Sequence, residues 1–166
     1  MPLTRPLLEL PLRSPLFVFL FLVALPALAQ PIKGQATVID GDTIEIAGTR
    51  IRLHGIDAPE SSQRCQDARG QDYRCGQRAA FALADWIGRA NVSCERRDTD
   101  RYGRVVAVCR ARGIDMNRWM VREGWAVAYR EYSPEYVPDE LAAQRARAGL
   151  WAGRFIPPSE WRRGQR

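Results

Sequence analysis

Beyond residue 30 the chain alternates apolar and polar residues, and the period of that alternation predicts its elements. From Gly34 to Ile46 the every-second-residue pattern is weak, and Gly48 marks a turn. From Arg50 to Ile56 it is clear, with Ile51 and Leu53 on one face and Arg52 and His54 on the other. Between Gly76 and Ala90 the period becomes helical, placing Ala79, Ala80, Leu83, Trp86 and Ile87 on one side. Val92–Arg96 and Arg104–Arg110 predict two further strands, parted by the turn-like DTDRYGR. A short helix is expected after Asp115, carrying Trp119, Met120 and Val121 and stopping before Gly124. A last helix should begin near Asp139, behind Pro138, and end before Gly149, leaving IPPSEWRRGQR as an irregular tail. Strands, helix, strands, helix, helix is the order of an α+β domain built on a small barrel.

The pairing of the first strands has a chemical consequence. VIDGDTIEIAGTRIRLHGIDAPE carries Asp40 and Asp42 at one end, Asp57 and Glu60 at the other, and Arg50 and Arg52 between. A two-residue turn at Gly48-Thr49 sets Asp40 opposite Asp57 and Asp42 opposite Gly55. A slip of a residue or two still brings the acidic groups to one end of the hairpin, with Arg52 just inside it. Clustered carboxylates raise one another's pKa unless they share protons or a cation sits between them. Asp-Gly-Asp offers hard oxygen ligands suited to Ca²⁺ or Mg²⁺. Two carboxylates leave most of the roughly six to eight positions around Ca²⁺ to carbonyls, water and a substrate phosphate, which is the shell of a catalytic ion. Asp-Gly is also a common turn dipeptide, and Asp-Ala-Pro-Glu also ends strands; the two groups joined by one hairpin favour the site.

Length and composition bound the rest. The 166 residues suffice for one domain. Residues 1–29 place Arg5 and Arg13 ahead of an apolar run from Leu16 to Leu25 and close on Ala27-Leu28-Ala29, the order of a secretory signal peptide cut after Ala29. The run is shorter than the roughly 20 residues of a spanning helix; an uncleaved anchor is the alternative. The net charge is +6, and Lys33 is the only lysine. Arginine's planar fork fits phosphate oxygens in pairs, so the charge suggests nucleic acid or an anionic membrane, although a GC-rich coding bias also yields arginine. The four cysteines, 65, 75, 94 and 109, show no Cys-x-x-Cys spacing, which speaks against a structural zinc. Export favours disulfides. Of three connectivities, Cys65–Cys75 around QDARGQDYR and Cys94–Cys109 across a hairpin are preferred. His54, the sole histidine, has no role that the chemistry requires, and the five tryptophans read as packing residues rather than base-stacking platforms.

Asp40-Gly41-Asp42-Thr43, then Arg52-Leu53-His54-Gly55-Ile56-Asp57-Ala58-Pro59-Glu60, then Asp100-Arg101-Tyr102-Gly103-Arg104 resemble the thermonuclease, or staphylococcal-nuclease-like, family in order and spacing. MNRWMVREGWA and ARAGLW resemble its later helices, so the likeness runs from about Gly34 to Trp151. The resemblance implies a five-stranded OB-fold β-barrel with about three packed α-helices over residues 30–155. It also implies Ca²⁺-dependent hydrolysis of DNA and RNA, with Ca²⁺ preferred over Mg²⁺ or another divalent ion. Asp42 and Asp57 correspond to the metal carboxylates, the Ala58 backbone carbonyl to a further ligand, and Asp40 to an outer-shell group acting through water. Arg52 and Arg104 correspond to the phosphate-binding pair and Glu60 to the general base. Tyr102 and Tyr129 correspond to aromatics near the bound nucleotide. The cysteines, the 65–75 loop and the arginine-rich surface depart from the best-known member.

The chemistry suits these residue types. A divalent ion and two guanidiniums offset charge that grows on the phosphate oxygens, while a carboxylate takes a proton from water. The expectation is an exported monomer, periplasmic or secreted and not membrane-bound after signal cleavage. It would cut DNA and RNA with little sequence preference, single strands preferred. The competing readings are an OB module that binds single strands without cutting, and a phosphodiesterase of small nucleotides.

Overall fold

The computed structural model describes residues 30–165; the expected signal peptide, residues 1–29, lies outside them. Strand β1 (Ile32–Asp40) turns at Gly41-Asp42 into β2 (Thr43–Ile46), which turns again into β3 (Thr49–Leu53). Short β4 (Ile56–Asp57) follows, then β5 (Cys65–Gln66) and β6 (Asp72–Tyr73), which pair with each other. Helix α1 (Cys75–Ile87) leads to the long antiparallel pair β7 (Asn91–Thr99) and β8 (Val105–Ala111). The chain continues through β9 (Ile114–Asp115), α2 (Met116–Arg122), β10 (Val127–Ala128) and α3 (Val137–Ala146) to α4 (Pro158–Arg162).

The sheet order β3-β2-β1-β7-β8 closes on itself through a parallel β3–β8 pairing, Ile51 opposite Val105 and Leu53 opposite Ala107. The result is the expected five-stranded barrel with three helices of seven or more residues. Its interior takes Ile44, Ile46, Ile51, Leu53, Val92 and Ala107 from the strands and Leu83, Ile87 and Met120 from the helices. Trp86 and Trp119 stack at 4.9 Å between α1 and α2, and with Trp125 they pack on the core as expected. Cys94 lies opposite Cys109 in the β7–β8 register and is bonded to it; Cys65 is bonded to Cys75.

Two expectations are corrected. The β2–β3 turn is Ala47-Gly48, both with positive φ (49° and 77°), which matches the right-handed strand twist. The register therefore sits earlier than a Gly48-Thr49 turn gives, with Thr43 opposite Arg52. Asp42 is then set against Leu53 rather than Gly55. It lies in the β1–β2 turn, where its carbonyl accepts the Leu53 N–H at 2.8 Å. A side chain at Gly41 would drive its Cβ to 2.6 Å from that of Ala58 and 3.0 Å from that of Ala79, so this corner packs against α1 only as glycine. Second, the tail is not irregular. Pro157-Pro158 opens α4, Pro supplying φ where the missing N–H costs nothing. Just before the tail, paired Gln66–Arg154 backbone bonds stitch the chain to the 65–75 loop, and buried Gln63 donates to the Ile156 carbonyl at 2.7 Å.

Candidate active site

The acidic groups meet where the β1–β2 turn approaches β4. Asp40 Oδ1 accepts the Asp42 N–H at 3.0 Å, which fixes the turn. Asp42 is buried; Oδ2 accepts the Ala58 N–H at 2.8 Å and Oδ1 accepts the Thr43 hydroxyl at 3.2 Å. The Ala58 backbone thus lies against Asp42. Asp57, 1% exposed, is held by β4 pairing with β10. Arg52 joins the two carboxylates. Its Nη1 forms an ion pair with Asp42 Oδ2 without an aligned hydrogen bond, and its Nη2 donates to Asp57 Oδ1 at 3.3 Å.

The expected acids and Arg52 therefore converge, though through a corner and β4 rather than across one hairpin. Burial first, and then the charge of Asp42, pushes the Asp40 carboxyl up to about 6. Burial likewise raises Asp57, outweighing the hydrogen bond from Arg162. Arg52 is held charged: burial opposes this, and the carboxylates of Asp42, Asp57 and Asp40 prevail.

Arg162 on α4 was not foreseen. Its Nη1 donates to Asp57 Oδ1 and to Glu60 Oε1, both at 2.8 Å, and its Nη2 donates to Asp57 Oδ2 at 3.0 Å. These bonds keep it protonated against the opposing effect of burial. Glu60 is placed by its own N–H on Gln63 Oε1 at 3.2 Å and by the start of α1, where a Cβ on Gly76 would fall 1.8 Å from the Glu60 carbonyl.

Arg104 stands apart from this cluster. Asp100 Oδ1 accepts the N–H groups of Tyr102 and Arg104, and Oδ2 accepts Arg104 Nε at 2.7 Å. Tyr102, 70% exposed, lies beneath the guanidiniums of Arg101 (5.0 Å) and Arg104 (5.5 Å). The β3–β8 register carries Arg104 to the sheet face that holds Arg52, one step before Val105. Tyr129 follows β10, donates its N–H to Gly55 at 2.9 Å and packs edge-on to Tyr132. With Asp57, Trp151, Phe155 and Ser159 it walls a cleft of about 240 Å³.

The donor set fits a divalent ion as an open shell. Among the described residues no three His, Cys, Asp or Glu side chains form a ready-made cage. Two carboxylates share one guanidinium beside a third, Asp40, that burial first and the charge of Asp42 second push up to about 6. Such a group would supply only part of the roughly six to eight oxygens around Ca²⁺, the rest falling to carbonyl, water and phosphate oxygens.

The family model described as "Staphylococcal nuclease homologue" matches residues 50–153. "Succinoglycan biosynthesis protein ExoI" of Rhizobium meliloti (strain 1021) is 48% identical over 126 residues, covering 74% of this chain and 66% of its own length. An "Uncharacterized endonuclease" of Haemophilus influenzae is 36% identical over 78% of this chain and 71% of its own. The "Micrococcal nuclease" of Shigella flexneri is 33% identical over 93% of this chain and 94% of its own.

Proposed function

The chain belongs to the staphylococcal nuclease family, and from that premise we propose that it is an exported, Ca²⁺-dependent nuclease that hydrolyses DNA and RNA. The observation that carries this reading is the meeting of Asp42 and Asp57 at one buried guanidinium, with Glu60 beside them. Asp42, Asp57, the Ala58 carbonyl and, through water, Asp40 would hold the ion, which when bound draws charge from a non-bridging phosphate oxygen. Arg52 and Arg104 grip the phosphate from one sheet face with charge-assisted hydrogen bonds. Glu60 takes a proton from the water that attacks phosphorus; a P–O bond to that water forms as the bond to the ester oxygen breaks, and the departing oxygen keeps the electron pair and is protonated from solvent. Tyr102 and Tyr129 flank the nucleotide, and the arginine-rich surface attracts the polyanion.

Export is supported by two disulfides and by the signal-like residues 1–29. Among the described residues no helix is long and apolar enough to cross a membrane. The test is incubation of the purified protein with single-stranded DNA and Ca²⁺. Degradation that a calcium chelator stops is expected, and cutting no faster than that of an Arg52→Ala variant overturns the reading.

A further inference from the structure

We propose that Arg162 is an internal competitor of the divalent ion, so that docking of α4 and ion binding at Asp57 oppose one another. The proposal rests on the reading of Asp57 as an ion ligand. A carboxylate offers about four lone-pair directions. Arg162 takes two of those on Asp57 and Arg52 a third, and the carboxylate is almost wholly buried. The direction that remains is on Oδ2, which already accepts Arg162 Nη2 at 3.0 Å, so an ion at its ordinary coordination distance of about 2.3–2.6 Å there would meet the charge of that guanidinium on the same oxygen. The same guanidinium also holds Glu60 Oε1, the oxygen the reaction would use as a proton acceptor.

The segment that carries Arg162 is built to dock and to leave. Its root is fixed by the Gln63–Ile156 and Gln66–Arg154 bonds. Beyond Pro157 it is a five-residue helix, too short to persist without its contacts. The Arg162 side chain is 36% exposed, so solvent already reaches it. Residues 158–162 lie outside the span, 50–153, matched by the family model. Without the ion, Arg162 balances two carboxylates that would otherwise repel. With the ion, Asp57 changes partners, Glu60 is released to accept a proton, and a guanidinium is freed beside the phosphate. By thermodynamic reciprocity, whatever loosens α4 tightens the ion and the ion loosens α4.

Calcium titration calorimetry on the wild type, Arg162→Ala and Arg162→Gln tests this. Both variants should bind Ca²⁺ roughly tenfold more tightly, the lower end of the range for charge-assisted bonds because the side chain is partly solvated. Hydrogen exchange on the wild type supplies a second readout. Ca²⁺ should lower protection of the Trp161, Arg163 and Gly164 amides, which donate within the tail. Loss of a positive charge alone would tighten the ion in the variants but leave wild-type tail protection unchanged by Ca²⁺. That result overturns the proposal, as does equal or weaker Ca²⁺ binding by the variants. If no form takes up Ca²⁺, the ion reading of Asp57 falls and the competition with it. If all forms take it up equally, only the competition falls.

Discussion

Arg52 sits at the corner where the β1–β2 turn meets β4, and Arg104 sits at the tip of the β7–β8 hairpin. Both are placed on one sheet face by the β3–β8 register, and both are proposed to grip one phosphate. Their surroundings differ. The Arg52 side chain is 14% exposed and bound to carboxylates from two other segments. The Arg104 side chain is 29% exposed and bound to Asp100, four residues away in its own turn. The carboxyls respond oppositely. At the corner, burial pushes Asp40 and Asp57 upward. At the tip, slight burial of Asp100 is outweighed by Arg104 and the amides of residues 104 and 102, and its pKa falls. One arginine is part of the fold's interior, and the other is part of a local turn. A substitution at the first therefore reports on stability and chemistry together, whereas one at the second separates them.

The largest effect is expected from Arg52→Ala. It leaves Asp42 with only the Ala58 N–H and the Thr43 hydroxyl, and Asp57 with Arg162. Breaking a buried pair from one side costs about 3 kcal/mol, toward the low end of such losses because both carboxylates keep partners. Denaturant unfolding should show that loss, and the cutting rate should fall by at least about 10²–10³. A variant that loses activity at unchanged stability would remove the contrast between the two arginines.

A stability gain is expected at the same corner. Asp40 holds its proton more tightly in the folded chain (about 6) than at its ordinary value of 3.8. The folded state is therefore favoured by this group at low pH, loses that advantage as pH rises from about 4 to 6, and carries the full cost at pH 7. Asp40→Asn removes the charge while its side-chain oxygen still accepts the Asp42 N–H. With a chelator present, thermal melts should show the variant about 1–2 kcal/mol more stable at pH 7, with the gain vanishing near pH 3.5. A gain that is flat with pH would show that ionisation of the buried Asp40 carboxyl is not its source.

Much of this architecture was legible along the chain because it follows from local periodicity. Ala79, Leu83, Trp86 and Ile87 announced α1 to within a few residues, and Asp115 announced α2 by capping it, its carboxylate accepting the Arg118 N–H. The motif residues Asp42, Asp57 and Arg52 were found because type and spacing are themselves the signal. Two things stayed hidden for physical reasons. Alanine rarely adopts positive φ, so Ala47 concealed the true β2–β3 turn. Long-range polar partners leave no local trace. Arg162 reaches Asp57 across 105 positions, and buried Asn117 ties α2 to the barrel by donating to the His54 and Ala107 carbonyls. A signal for α4 did exist: Pro-Pro-Ser-Glu has proline at the first helical positions and an acid in the first turn. It could have given the helix, but not the two carboxylates its arginine would meet.

The smallest effect on stability is expected from Arg104→Ala, and it is the most discriminating. The turn does not depend on the side chain, because Asp100 Oδ1 still accepts the backbone N–H groups of Tyr102 and residue 104. What is lost is a half-buried pair within one loop that solvent still reaches, and solvent-accessible pairs contribute about 0.2–1 kcal/mol. The Tyr102 ring loses one of its two guanidinium neighbours and keeps Arg101. Unfolding should therefore shift by less than about 1 kcal/mol while cutting falls by about 10²–10³. Arg104→Lys should restore little of that rate, since an ammonium cannot make the paired contact of the guanidinium fork. A stability loss above about 2 kcal/mol would place Arg104 in the same regime as Arg52. The two arginines would then form one buried network, and the β7–β8 tip would be a structural part of the corner rather than a separate arm that reaches over it.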